Sequence, residues 1–335
     1  MAHHESGLAT KAMPARISEH ITRAPTLDHL IQGYLVTLRS EGKSPQTVLS
    51  YGDQLSHFLW WCEREGAPKD ADKVTTAHIR GFLLYAQTEP VRWGGRSTSS
   101  RRPLCTATLH RYHRTLSAFF HWLGAECLIS GSPLEGVRKP RLPQKLVQAL
   151  TPEELRRMLA LCGKDFLGAR NRAILMLFLD TGLRVSELSD LRLSDVDFET
   201  GTITVRSGKG QKQRVVRMGN RCQRAVWRWA ALFRESHTDR LFVSRGSEPL
   251  DARAVKTLVK RLCGRAGVSG GRGCHRLRHT FAIEFLRAGG DVMTLRYLLG
   301  HSSLEMVKRY LGSLDAEDAA RAHQRYSPAD NMKLR

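Results

Sequence analysis

Acidic side chains are in short supply. The 335-residue chain sets 32 aspartates and glutamates against 53 lysines and arginines, a formal net charge of +21. That imbalance points to a polyanionic partner, with nucleic acid foremost. It is not the work of one tail: residues 1–149 carry 19 basic and 12 acidic side chains, and residues 150–335 carry 34 and 20. Two positive halves suit a clamp around a duplex. Cysteine pairing is also missing. The seven cysteines are an odd number with no CxxC among them, so neither a disulfide framework nor a zinc knuckle is expected, and a reducing compartment fits. No carboxylate cluster accompanies the basic motifs, which disfavours a metal-dependent nuclease; no metal and no cofactor are expected. The longest strongly apolar run, Ala173 to Leu179, is far too short to span a bilayer, and the first 30 residues lack the apolar stretch of a signal peptide. A cytosolic location is expected. Repeats at solenoid periods are absent as well, and the length suggests two domains.

What is there reads mainly as helix. Residues 1–24, polar and mixed, are expected to form a flexible leader. Apolar residues at helical spacing begin at Leu27 and run through Leu30, Ile31, Tyr34, Leu35 and Leu38. Ser44 and Pro45 fit the N-cap and first turn of a second helix, which ends near Gly66. A third covers about 76–87 and a fourth about 106–127. Between them 91–102 reads as an exposed loop, and from Arg92 to Arg114 there are six arginines and no acid. A helical DNA-binding domain over 25–131 is expected, with Lys43, Thr47, Arg101, Arg102, Arg111 and Arg114 as candidate contacts. Prolines and basic residues over 132–149 suggest an extended linker.

The second domain, 150–335, opens with Thr151, Pro152 and Glu154 in the pattern of a capping box. A buried helix from Ala169 to Asp180 ends at Gly182, a residue suited to the left-handed conformation. Arg184 follows in a tight bend, with Ser186 as the expected N-cap of the next helix. Alternating residues on both sides of a glycine-bearing turn predict a β-hairpin with Lys209 at its tip. From Arg206 to Arg234 nine residues are basic and none is acidic, which adds Lys212 and Arg214 to the candidate DNA contacts. Helices are expected at about 221–233 and 252–266. The stretch from Cys274 to Tyr310 then sets His275 and Arg278 three apart, with His301 after a Leu-Gly pair and Tyr310 nine residues later. Those are groups to gather around a phosphodiester. A tail helix is expected from Asp315.

Taken together, Thr181-Gly-Leu-Arg-Val-Ser-Glu-Leu, His275-Arg-Leu-Arg-His, Leu299-Gly-His and Tyr310 resemble the tyrosine recombinase, or phage integrase, family. The likeness is clear over about 150–326 and weaker over 27–130, where it agrees with that family's helical core-binding domain. It implies a mainly α fold with a small β-sheet, in two domains. It also implies cleavage of one DNA strand by a tyrosine, giving a 3′-phosphotyrosine that a second strand's 5′-hydroxyl later resolves, without ATP or metal. Matched position by position, Tyr310 is the nucleophile, His275 the group that takes its proton, Arg184 and Arg278 the pair on the phosphate, and Lys209 the general acid. His301 would hydrogen-bond the phosphate, and Glu187 would orient the site.

The chemistry of the residues agrees. A phenol with pKa near 10 is about a thousandth ionised at neutral pH, so it needs a base. Guanidinium groups suit the charge that grows on the nonbridging oxygens. His279, four residues after His275, is expected to be structural. The same resemblance implies double-stranded DNA at specific sites as the partner, with self-association to a tetramer through the tail. Integration or excision of a mobile element is favoured over chromosome resolution. The alternatives are a type IB topoisomerase-like enzyme and a DNA-binding protein without catalysis.

Overall fold

A computed structural model describes residues 26–89, 93, 103–142, 148–206, 213–234, 237–269, 273–301, 303–314, 316–327 and 332. The expected leader lies outside these. The chain divides into two compact units, Met1–Gln144 and Lys145–Arg335. Both are mainly helical, and the second holds a three-stranded sheet. No described helix is long and apolar enough to cross a membrane.

In the first unit α1 (Leu27–Ser40), α2 (Pro45–Arg64), α3 (Thr76–Thr88) and α4 (Thr106–Ala125) surround one core. The buried face of α1 is the predicted one, Leu27 through Leu38. Ser44 caps α2: its Oγ accepts the Thr47 amide at 3.2 Å, and Pro45 takes the first turn, where no amide is needed. Phe58, Phe82, Phe119 and Phe120 expose nothing. Phe58 meets Phe82 and Phe120 edge-on at 5.2 and 6.2 Å, the arrangement aromatic quadrupoles favour. The fourth helix stops short of its predicted end because Cys127 turns left-handed, with φ of 56°.

The segment predicted as a linker is held at both ends. Thr76 Oγ1 donates to the Pro133 carbonyl at 2.9 Å, His113 Nε2 lies 3.1 Å from the Val137 carbonyl, and Leu134 is buried in the first core. Prolines remove amides from this stretch but leave carbonyls, and helix side chains satisfy them. At the far end the Leu150 amide donates to Thr280 Oγ1 at 2.8 Å, inside the second unit.

The second unit begins with α5 (Pro152–Ala160), where Thr151 and Glu154 form the predicted reciprocal cap at 3.2 and 3.0 Å. Next come α6 (Phe166–Thr181) and α7 (Val185–Asp190), then antiparallel strands β1 (Val196–Asp197), β2 (Thr202–Val205) and β3 (Arg214–Arg217) in that order. Ile203 pairs with Val216, and both point inward. The hairpin tip, with Lys209 and Lys212, lies outside the described residues. Helices α8 (Asn220–Leu232), α9 (Ala252–Arg265), α10 (Gly273–Arg287), α11 (Val292–Leu299), α12 (Glu305–Leu311) and α13 (Ala316–Tyr326) complete the unit. Packed by α8 and α10, α6 is apolar on most of its circumference, as a central helix must be. The tail helix α13 folds back on its own chain. Arg287 pairs with Asp318 at 3.2 Å, and Arg325 and Tyr326 donate to the carbonyls of Ala288 and Gly289 at 2.9 and 3.3 Å.

Candidate active site

The site starts from a glycine. Gly182 ends α6 with φ of 60°, and a Cβ there would come within 2.3 Å of the Phe281 ring. The turn it permits brings Arg184 to the N-cap of α7. The N-cap predicted at Ser186 is displaced to Arg184 because Glu187 reaches back: its Oε2 accepts the Arg184 amide at 2.7 Å. The same carboxylate takes the Arg184 guanidinium, Nη1 to Oε1, at 2.7 Å. One acid thus starts the helix and fixes the side chain beside it.

Arg278, buried on α10, approaches from the other side. Its Nη1 donates to the Gly182 carbonyl at 2.5 Å and its Nη2 to that of Leu299 at 2.7 Å. Arg184 Nη2 donates to the Gly300 carbonyl at 2.8 Å. Gly300, left-handed with φ of 60°, ends α11, so two glycine-closed helix ends turn their carbonyls toward two arginines. His301 follows, 3.0 Å from Arg278 Nη2 through its Nε2. A guanidinium only donates, so Nε2 accepts and the ring hydrogen sits on Nδ1. That Nδ1 is buried without a partner among the described residues. Burial, then the charges of Arg278 and Arg184, push the His301 pKa down to about 3, which leaves the ring neutral at pH 7. Burial and the neighbouring Arg184 bring Arg278 down to about 10, still charged. Burial works to raise Glu187, but hydrogen bonds from Arg214 and the Arg184 amide prevail and hold it at about 2.

Tyr310, on α12, is wholly buried in a cluster with Phe281, Leu295, Leu299 and Val307. Its ring lies parallel to His301 at 6.3 Å between centroids, and the Arg309 guanidinium sits 5.3 Å from its centre. Its hydroxyl is 3.2 Å from His279 Nδ1. His275, one turn earlier on α10, is exposed, with its ring 6.4 Å from that of His279. The structure therefore brings together Arg184, Glu187, Arg278, His301 and Tyr310, and it joins His279 to the Tyr310 hydroxyl. The four-residue spacing from His275 was the available sign.

Arg214 requires a correction. Its place in a basic run assigns it to the DNA contacts, yet it is 4% exposed and engaged inward. Its Nη1 and Nη2 grip both oxygens of Glu187 at 2.9 and 2.8 Å, and its Nε donates to the Leu298 carbonyl at 2.8 Å. Strand alternation carries this information: Arg214 shares the inward side of β3 with Val216. Of the other candidate contacts, Arg111 and Arg114 are exposed on α4, Lys43 is exposed and pairs with Glu41 at 3.5 Å, and the Thr47 hydroxyl is tied to Ser44 at 2.8 Å. Arg101, Arg102, Lys209 and Lys212 lie outside the described residues.

The model of the phage integrase family matches residues 148–317, and that of the phage integrase N-terminal SAM-like domain matches residues 31–126. The chain belongs to the phage integrase family. These are the tyrosine recombinases, and the chain is a site-specific DNA recombinase. The tyrosine recombinase XerC of Xanthomonas campestris pv. campestris (strain B100) is 31% identical over 304 residues, covering 90% of this chain and 89% of the relative. That of Pseudomonas fluorescens (strain Pf0-1) is 30% identical over 314 residues, covering 92% and 99%. The fold is shared with a lambda integrase dimer bound to a COC′ core site, at TM-score 0.68 and 20% identity, over 87% of this chain and 97% of that one. It is also shared with the Tn1549 transposon integrase in complex with a circular intermediate DNA, at TM-score 0.66 and 21% identity, over 89% and 99%.

Proposed function

We propose that Tyr310 is the nucleophile of this recombinase. Its phenolic oxygen bonds to phosphorus while the bond from phosphorus to the 5′-oxygen breaks, leaving a 3′-phosphotyrosine and a free 5′-hydroxyl. His275 takes the phenolic proton, and Lys209 gives one to the departing oxygen. Arg184 and Arg278 face the nonbridging oxygens, with His301 as a neutral hydrogen-bonding neighbour. Reversal by a 5′-hydroxyl from a second site joins the exchanged strands, so the energy of the broken bond is conserved in the protein–DNA link. The observation that supports this reading is a chain of neighbours: Arg184 on Glu187, Arg278 4.0 Å from the same carboxylate and bonded to the neutral His301 imidazole, and the Tyr310 ring parallel to that imidazole. Removing an arginine that stabilises such charge costs about 10³–10⁵ in rate in other phosphoryl-transfer enzymes.

With its hydroxyl buried, Tyr310 is described in a resting position, and α12 must carry it outward to meet DNA. The proposed setting is integration or excision of a mobile element by a tetramer on DNA. Assembly would use α13, whose contacts with Arg287, Ala288 and Gly289 exist on every copy and can be exchanged between neighbours. Truncation after Gly312 is expected to weaken cooperative assembly more than binding to a half-site, as read by gel shift; unchanged assembly would refute the exchange.

The central test is covalent trapping. Nicked duplexes from the DNA flanking the gene are mixed with the protein in EDTA, and a denaturation-resistant adduct is sought. An adduct with the native protein and none with Tyr310→Phe is expected. An adduct that survives Tyr310→Phe removes this residue as nucleophile. Recombination confined to a chromosomal site would replace the mobile-element setting.

A further inference from the structure

Arg214 has no part in the roles above, yet it is buried beside the site with three of its donors engaged. Three helix and strand ends meet on it: β3 through its own backbone, α7 through Glu187, and the end of α11 through the Leu298 carbonyl. The fit is close enough that a Cβ on Gly300 would stand 2.9 Å from its Nη1. Glu187 offers two oxygens to three arginines. Oε1 accepts from Arg184 and Arg214, Oε2 accepts from the Arg184 amide and Arg214, and Arg278 Nη1 waits 4.0 Å from Oε2. The carboxylate side chain is only 11% exposed, so its charge must be answered by protein. Without Arg214, the nearest donors left are those of Arg184 and Arg278, the two groups that a phosphodiester needs.

We propose that Arg214 is a positioning residue for strand cleavage: by holding both oxygens of Glu187 in a bidentate grip, it limits the carboxylate to the single bond it makes with the Arg184 guanidinium and keeps it off that of Arg278. The inference rests on the assignment of those two arginines to the phosphate. It differs from a direct role, since Arg214 spends its fork on Glu187 and reaches the reacting atoms only through its neighbours. Paired guanidinium and carboxylate planes match in geometry, and a lysine cannot reproduce the two parallel bonds.

The test measures single-turnover cleavage of a suicide half-site carrying either the normal phosphodiester or a methylphosphonate, whose nonbridging methyl removes one negative charge. Arg214→Met is expected to lower the rate on the phosphodiester by about 10–100-fold, the usual range for an outer-layer support, with half-site affinity retained. On the methylphosphonate, where there is less charge to neutralise, its rate should approach that of the native protein. Adding Glu187→Gln to Arg214→Met should restore part of the lost rate, because the orphaned carboxylate is gone. Arg184→Ala is the control. If it is relieved by the methylphosphonate and Arg214→Met is not, Arg214 acts as general scaffolding and the proposal is wrong. If Arg184→Ala is not relieved either, the assignment of Arg184 fails and the inference falls with it. Should Arg214→Met not fold, Arg214→Lys serves, with a smaller loss and the same relief expected; equal losses on both substrates overturn the proposal.

Discussion

The two units bury different chemistry. The first is filled by interlocking rings, with Phe58, Phe82, Phe119 and Phe120 fully enclosed, and among its described residues the buried polar ones are His113 and Thr115. The second closes over Arg170, Asp195, Arg214, Arg278 and His301 as well as aliphatic side chains. Burying charge is costly unless it is paired and hydrogen-bonded. Around the site the second unit meets that condition with Glu187 and with carbonyls from the glycine-closed ends of α6 and α11; elsewhere Arg206 pairs with Asp195 and the Val243 carbonyl accepts from Arg170. A unit that only presents a surface can be apolar within; a unit that must meet a doubly charged transition state keeps preorganised charge inside. The contrast predicts how each part should break.

The largest expected effect is in the first unit. Phe58→Ala removes a ring with no exposed surface and should cost about 3–5 kcal/mol through the lost burial and the cavity left behind. Calorimetry should show one transition moving down while the transition of the second unit stays, and half-site binding should weaken as the first unit melts. A common shift of both transitions would break the comparison.

The next effect is in the second unit and depends on pH. His301 has its pKa lowered from 6.5 to about 3, so the folded state binds its proton less readily than the unfolded chain does. Its contribution is complete above 6.5 and is lost as pH falls toward 3, with a slope of at most about 1.4 kcal/mol per pH unit. Glu187, lowered from 4.5 to about 2, loses its contribution only at lower pH. Between pH 5 and 6.5 the two are separable. His301→Gln should flatten the stability curve of the second unit there, as read by denaturant melts at stepped pH; an unchanged curve would show that the imidazole is not held neutral by burial and its arginine neighbours.

Much of this was legible in the sequence because local rules carried it. The capping box at Thr151 and Glu154, the glycine stop at Gly182 and the apolar face of α1 each depend on residues within one or two turns. The motifs that resemble the family assign Arg184, Glu187, Arg278, His301 and Tyr310 to a common site, and these residues lie near one another in the fold. What stayed hidden depends on distant partners. Arg214 lies in a run of basic residues that reads as a DNA face; the alternation of β3 puts it on the side of Val216, but its partners on α7 and α11 are distant in sequence. His279 gains its tie to Tyr310 from α12, 31 residues away. Composition suggests an extended linker over 132–149 but does not reveal that His113 and Thr76 take up carbonyls of Val137 and Pro133.

The smallest expected effect tests the outer surface of the first unit. Arg111 and Arg114 are exposed on α4, while Leu109, Tyr112, His113 and Leu116 of the same helix are buried. Neither arginine supports the core, so replacing either with alanine should change stability by no more than about 0.5 kcal/mol. If both contact phosphates, each replacement should weaken half-site binding about equally on any sequence and reduce the salt dependence of the logarithm of affinity by about one unit. If one of them reads a base edge in the major groove, its loss should instead cost about 1–3 kcal/mol on the cognate site and relax the preference at one position. Binding titrations at several salt concentrations, on cognate and shuffled half-sites, separate the two. Unaltered slopes with unaltered affinity for both variants would remove α4 from the DNA interface and leave the surface of the first unit to be mapped from another helix.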